Sequence, residues 1–266
     1  MKLLEILQRM FVERYCVLCE EPIPYDDSEP FCCDCREQWD AFLKVKCRKC
    51  GRDHNMCTCL PAKVKKINHG IAAWCVFYDA STNGDINKLF FTLKRRYDRE
   101  IIDLCAQRMI KALLAISKSR GINLGEYVVT YAPRRDRSVN VYGFDQSRKL
   151  AKAIGKKLGV DVITTFENVG NKEQKGLNKT ERLKNAQANY EFIEGSLKGN
   201  KKVILVDDIM TSGATFFACS FQLFKNGATD VIPVAFAKDN YKAKGDKRNV
   251  KRNSKYNFTR AIKNLV

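Results

Sequence analysis

The sequence has no run approaching the roughly 18 consecutive apolar residues that a membrane-spanning helix needs. Its first apolar positions, Leu3, Leu4, Leu7, Met10 and Phe11, are interrupted by Glu5 and lead to no small-residue cleavage site. A secretory signal is therefore not expected, and the helical spacing of those positions predicts an amphipathic docking helix. No Gly-x-x-x-x-Gly-Lys-Ser/Thr pattern is present, which excludes a Walker A loop, and no Gly-x-Gly-x-x-Gly turn follows a strand. Low-complexity linkers are absent, as is any repeat beyond pairs of cysteines. Acidic residues are in short supply: 30 Asp and Glu stand against 48 Lys and Arg, a formal net charge of +18. That field favours polyanions such as nucleic acid, nucleotides, pyrophosphates or an acidic membrane surface, unless the lysines only coat solvated faces.

Cysteine is what the chain has in excess. Cys16, Cys19, Cys32, Cys33, Cys35, Cys47, Cys50, Cys57 and Cys59 all precede Leu60, whereas Cys75, Cys105 and Cys219 sit singly in apolar surroundings, as small buried hydrophobes do. Clustered pairs without a secretory signal point to metal in a reducing cytosol rather than to disulfides. Cys16/Cys19, Cys32/Cys35 and Cys47/Cys50 have the Cys-x-x-Cys spacing that sets two thiolates on one side of a tight turn, as tetrahedral zinc requires. Cys57 and Cys59 form a shorter fourth pair. Either two four-cysteine sites or one closed site is compatible with this spacing. His54 is an alternative ligand, Cys33 is read as a spectator, and iron–sulfur ligation fits less well than zinc. A module this short needs such a staple, and zinc would supply its folding energy. Interleaved Lys44, Lys46, Arg48, Lys49, Arg52, Lys63, Lys65 and Lys66, with Trp39 and Phe42 nearby, either track a nucleic-acid backbone and stack bases or form a solvated face.

The chain divides into an N-terminal helix and cysteine-rich zinc module (residues 1–66), an α/β domain (67–238) and a basic tail (239–266). The α/β reading rests on strand-like runs at residues 71–78, 127–132, 160–165, 203–206 and 231–237. Helical stretches alternate with them at 85–97, 100–117, 145–158 and 214–225. That alternation predicts a mainly parallel sheet flanked by helices. The tail has few apolar residues and is expected to order only on a partner.

Lys202 to Thr215 carries the clearest chemistry. Val203–Val206 is the continuous apolar run of a central parallel strand. Asp207 and Asp208 end it, Ile209 and Met210 follow, and Thr211, Ser212, Gly213, Ala214 and Thr215 lead into a helix. A small-residue turn opening a helix presents backbone N–H groups and the positive end of the helix dipole, a natural phosphate cradle. The three hydroxyls add donors, and Gly213 permits close backbone approach. A phosphate would repel carboxylates, so Asp207 and Asp208 are expected one sugar away, accepting from ribose hydroxyls. After the residue 127–132 strand, Arg134, Arg135 and Arg137 either neutralise a pyrophosphate or form a charged turn. The polar stretch 171–185 is either a lid over the site or a surface loop.

The Asp207–Thr215 segment resembles the phosphoribosyl pyrophosphate signature of type I phosphoribosyltransferases. The wider pattern resembles the ComF family: cysteine pairs, Leu93-Lys94-Arg95-Arg96-Tyr97, Tyr131-Ala132-Pro133, Tyr142-Gly143-Phe144-Asp145-Gln146, and Gln174-Lys175-Gly176-Leu177 with Arg182 and Asn185. Tyr142 and Asp145 stand where that family usually has Arg and Asn. The resemblance implies that Asp207 and Asp208 hold ribose hydroxyls and that Thr211 to Thr215 hold the 5-phosphate. Arg134, Arg135 and Arg137 would then face an Mg²⁺-bound pyrophosphate, with Gln174, Lys175 and Arg182 on a lid. It further implies a cytoplasmic protein, peripheral at the inner membrane, that works with the DNA-uptake machinery in natural transformation. Two functions follow: a phosphoribosyltransferase-like protein binding phosphoribosyl pyrophosphate or another ribose 5-phosphate compound, its acceptor unnamed by any residue, or a non-enzymatic single-stranded DNA adaptor. In the second case the phosphate pocket senses a metabolite or takes a strand's 5-phosphate.

Overall fold

The computed structural model describes residues 14–24, 29–79, 86–170 and 188–240. The expected docking helix, Met1 to Tyr15, lies outside the described residues except for Arg14 and Tyr15, which are a short strand and not a helix end. The candidate lid with Gln174, Lys175 and Arg182 and the tail beyond residue 240 lie outside the described residues.

In chain order the cysteine-rich part contains β1 (Arg14–Tyr15), β2 (Pro22–Ile23), α1 (Cys33–Leu43) and α2 (Ala62–Ile67). Then come β3 (Ala73–Tyr78), α3 (Ile86–Arg95), α4 (Arg99–Arg120), β4 (Val128–Tyr131), α5 (Asp136–Tyr142) and α6 (Gln146–Leu158). A short hairpin, β5 (Phe166–Asn168) with β6 (Tyr190–Phe192), precedes β7 (Lys202–Met210), α7 (Ala214–Lys225) and β8 (Asp230–Asp239). The main sheet has the order β3-β8-β7-β4 with every pairing parallel. This is the α/β architecture expected from the alternation of runs.

The sheet is parallel because its strands are apolar on both faces and need helices above and below. Val203, Ile204, Leu205 and Val206 of β7 are fully buried between β4 and β8. Helix α4 starts on a good cap: the Asp98 carboxylate accepts from Glu100 and Ile101 N–H at 2.9 and 3.1 Å, the kind of bond worth about 1 kcal/mol. Its inner face, Ile101, Cys105, Met109 and Leu113, is buried on the sheet.

Two expectations change. The run 160–165 does not form a strand of its own; it makes one parallel bridge, Val162 to Val129, held by Val129 N–H to the Asp161 carbonyl and Ile163 N–H to the Val129 carbonyl. The chain then turns away, because Thr165 is buried against Thr130 and its carbonyl is taken by Ile193 N–H from the hairpin. The second change is the length of β7. It continues through Asp207 and Asp208 to Met210, since Asp207, Ile209 and Met210 keep their register with Ala235, Ala237 and Lys238 of β8. On the other side β4 stops at Tyr131, opposite Val206. From Asp207 onward β7 therefore has one edge uncovered by β4.

The core runs from the cysteine-rich part into the sheet. Trp39 of α1 is fully buried, stacked on Phe31 with centroids 5.3 Å apart and on Phe236 of β8 at 6.3 Å. Phe42 packs edge-on to Phe90. Neither Trp39 nor Phe42 can stack a nucleobase, which corrects that part of the nucleic-acid reading; both are spent on the core.

Candidate functional site

The four cysteine pairs before α2 close into two clusters, and each cluster takes its four thiols from two neighbouring pairs. Cys16, Cys19, Cys32 and Cys35 form one and Cys47, Cys50, Cys57 and Cys59 the other, with the sulfurs of each within 4.8 Å of one another. The two knuckles are built alike. Cys16 N–H bonds the Glu21 carbonyl and Cys47 N–H the Arg52 carbonyl, at 2.8 and 2.9 Å. Glu20 and Gly51 supply the left-handed residue, at φ 65° and 70°. Cys32 precedes α1 and Cys35 lies in its first turn, so the positive end of that helix faces the first cluster. Neighbouring sulfurs stand 3.6 Å apart (Cys19, Cys32) and 3.7 Å apart (Cys50, Cys57). A tetrahedron with Zn–S bonds of about 2.3 Å has edges of about 3.8 Å. The donor set and spacing fit zinc, and two clusters could hold it. Cys33 is outside both, bonded to the Asp34 carboxylate, and His54 is not among the thiol groups.

The second centre lies where β7 outruns β4. Asp208 receives Gln146 Nε2 at 3.2 Å and stands 3.7 Å from Lys94 Nζ. Asp207 receives Ser147 Oγ at 3.2 Å. Arg134 lies behind them: its guanidinium donates to Gln146 Oε1 at 3.1 Å and to the Lys94 carbonyl. Lys94 ends α3, Arg134 follows β4, and Gln146 and Ser147 open α6, so three separate connections converge on the two adjacent acids. Burial raises the Asp207 carboxyl well above its ordinary value, and the neighbouring Asp208 carboxylate raises it further. Burial likewise lowers the Arg134 guanidinium, with Asp208 opposing. Two carboxylates this close, with their lone pairs only partly used, are arranged to accept from hydroxyls or to sit near a cation.

Asp145 and Tyr142 hold the arginine turn. The Asp145 carboxylate accepts Arg134 N–H at 2.7 Å and Arg148 N–H at 3.0 Å, capping α6 and pinning the turn at once. The Tyr142 ring carries Arg134 at 4.6 Å and Arg95 at 5.8 Å from its centroid. Of the three arginines, Arg134 is the one whose guanidinium reaches Gln146 and the Lys94 carbonyl. Arg137 is exposed on α5, and together with Arg135 it lines a cleft of about 430 Å³ shared with Tyr142, Asn168 and Val169.

Past Met210 the chain makes the expected turn into α7. Gly213 sits at φ 73°, ahead of the first helical residue Ala214. A Cβ at Gly213 would meet Val64 Cγ2 at 2.6 Å and Pro61 Cγ at 2.9 Å. The glycine is thus required by the backbone angle and by the close approach of the Pro61–Val64 segment, beyond any approach to a ligand. Gly213→Ala is expected to destabilise the fold by about 2–4 kcal/mol, the sum of left-handed strain and overpacking; the denaturant midpoint measures it. Thr211 is exposed, and Ser212 and Thr215 are half-buried. Tyr190 of β6, which the sequence did not single out, packs on Ala214 and Ala218. Burial raises its phenol well above the ordinary value, Asp207 raises it further, and a hydrogen bond with Thr215 opposes.

No family model matches the chain, and no curated protein does either. Among solved structures, a purine phosphoribosyltransferase from Pyrococcus horikoshii Ot3 is similar to it with a TM-score of 0.28 and 15% identity. That match covers 51% of this chain and 84% of the other.

Proposed function

We propose that the chain binds a ribose 5-phosphate group, as phosphoribosyl pyrophosphate with Mg²⁺, between the β7–α7 turn and the Arg134 turn. One observation carries the reading: Lys94, Arg134, Gln146 and Ser147, from three separate connections, gather on Asp207 and Asp208 beside a helix-opening turn of small and hydroxyl residues. The acids accept from the ribose 2- and 3-hydroxyls, the amides and hydroxyls of Thr211, Ser212 and Thr215 take the 5-phosphate, and Arg134 with Lys94 faces the Mg²⁺-bound pyrophosphate. Phosphoribosyl transfer passes through an oxocarbenium-like sugar, so such a site works by positioning and charge stabilisation. The resemblance to the ComF family supports a place in DNA uptake at the cytoplasmic face of the inner membrane, with zinc in both cysteine clusters. Equilibrium dialysis tests the core of this: phosphoribosyl pyrophosphate with Mg²⁺ binds best, ribose 5-phosphate binds more weakly, and free ribose does not bind. Equal retention of ribose and ribose 5-phosphate would remove the phosphate cradle from the account.

A second reading, a single-stranded DNA adaptor, is favoured by one surface. Phe91 on α3 and Tyr97 just after it are exposed. Arg95 lies 3.9 Å over Phe91 and Lys149 4.4 Å over Tyr97, so rings and cations alternate there. That is the pattern that stacks bases and neutralises phosphates. Removing both rings (Phe91→Ala with Tyr97→Ala) is expected to weaken single-stranded DNA binding by about 1–3 kcal/mol per lost stack and to leave phosphoribosyl pyrophosphate binding in place. The remaining DNA affinity should fall steeply with salt. Unchanged DNA affinity in that variant would rule this surface out.

A further inference from the structure

We infer that the second cysteine cluster and the Pro61–Val64 segment behind it form the rear wall of the β7–α7 turn. Metal in that cluster therefore governs how firmly the turn is held, and metal in the first cluster does not. The inference deepens the phosphate-site reading and rests on it for the identity of the ligand.

The contact is direct. Cys59 is followed after one residue by Pro61, which caps α2, and Pro61 and Val64 occupy the space that a Cβ on Gly213 would need. Val64 is fully buried in the same apolar cluster as Cys47, Cys57, Phe216 and Cys219. Lys63 Nζ lies 5.5 Å over the Phe217 ring, one turn into α7. Thr211 and Ser212 face Cys47, Lys49, Cys59 and Pro61 across a cleft of about 220 Å³.

The cluster is also anchored to the strand beside β7. Asn240, buried just past β8, donates from Nδ2 to the Lys46 carbonyl at 2.9 Å and accepts Arg48 N–H on Oδ1 at 2.8 Å. Its own N–H bonds the Tyr78 carbonyl at the end of β3. Arg48 pairs with Asp79. The knuckle around Cys47 is therefore fixed at the carboxyl ends of β3 and β8, and Cys57 and Cys59 reach from it to Pro61. A metal that joins these four sulfurs closes the path from the strand ends to the turn. The first cluster packs elsewhere, with Phe31, Trp39, Phe42 and Phe90, and its strand β1 is tied to α4 by Arg14 and Glu100 at 3.0 Å.

Backbone amides at the turn can cradle a phosphate only while Gly213 keeps its left-handed geometry. Releasing Pro61 and Val64 removes the packing that holds Gly213 from behind. By linkage the effect is reciprocal: a ligand that needs the ordered turn retards metal loss from the second cluster.

The test uses the full chain with Cys50→Ser and Cys19→Ser, since both thiols are exposed. Each variant is assayed for metal by elemental analysis and for amide hydrogen exchange over residues 211–215. Cys50→Ser should exchange there about tenfold or more faster than the parent, and Cys19→Ser within about twofold of it. Val64→Ala, which leaves all eight cysteines in place, should retain both metals and still accelerate exchange at the turn. It decides the matter if Cys50→Ser does not fold. Equal exchange at the turn in the two cysteine variants, or no acceleration in either Cys50→Ser or Val64→Ala, would overturn the inference. Exchange is read without ligand, so a parent protein that fails to bind phosphoribosyl pyrophosphate defeats the functional reading and leaves this coupling to be decided by its own data.

Discussion

Stripping metal from the folded protein with a chelator is expected to lower its melting temperature by more than about 10 °C and to shift the emission of Trp39 to the red. Structural zinc contributes about 10–16 kcal/mol of apparent folding free energy in small modules at neutral pH. Here the stapled segment also supplies part of the common core. Trp39, Phe31 and Phe42 are buried against the sheet, so opening the first cluster exposes apolar surface on both sides of that contact. The loss has a defined pH sense. Burial raises the Cys47 thiol, but N–H groups of Cys50 and Lys49 and the thiols of Cys57 and Cys50 together bring it down to about 7. Cys16 is likewise brought to about 7. Burial holds Cys35 and Cys57 above the ordinary thiol value. Metal binds the thiolates and protons compete for them, so a chelator should extract metal faster at about pH 6 than at about pH 8. A protein that contains no metal by elemental analysis, with an unmoved melting temperature in chelator, would contradict the assignment of the clusters.

Asp207→Asn is expected to raise the stability of the ligand-free protein at neutral pH while weakening phosphoribosyl pyrophosphate binding at least about a hundredfold, the loss of a charge-assisted acceptor worth about 3 kcal/mol. The folded-state value of Asp207 lies well above its unfolded value, because burial and the Asp208 carboxylate both disfavour its charge. Below the unfolded value the carboxyl is neutral in both states and imposes no penalty. As pH rises through the raised folded value the penalty appears in full. The gain from asparagine should therefore be largest at neutral and alkaline pH and vanish in acid. Asparagine keeps an oxygen to accept from Ser147, so the fold loses little in exchange. Stability gained as binding is lost marks a site kept strained for function. A lower melting temperature at neutral pH would mean that the Asp207 charge is compensated and that its role is structural.

The strand, turn and helix from Lys202 to Lys225 were legible because each part has its own signal: a continuous apolar run, then acids, then small hydroxyl residues, then helical spacing. The cysteine pairs were legible for the same reason, and the choice between one site and two was not, since spacing along the chain does not say which pairs meet. Lys94 and Gln146 stood in the sequence only as parts of motifs with no assigned role, and Ser147 not at all; the strand order brings all three onto Asp207 and Asp208. Sequence periodicity identifies strands but does not reveal that β7 lies between β4 and β8. Tyr190 carried no signal, as an isolated tyrosine in a short hairpin looks like surface or core equally well. Trp39 was misread because its neighbours are polar in sequence, while its partners Phe236 and Phe31 are supplied by the fold. The run at residues 160–165 satisfied a strand pattern locally, but tertiary pairing limited it to one bridge.

The most direct test of the central claim is calorimetric titration of phosphoribosyl pyrophosphate with Mg²⁺ into the parent protein and into the double variant Asp207→Asn/Asp208→Asn, both loaded with metal. Saturable heat is expected with the parent and none with the double variant, whose fold should be retained in a parallel melting curve. Equal binding by both proteins, or none by the parent, would show that the two acids at the end of β7 do not hold a ribose phosphate.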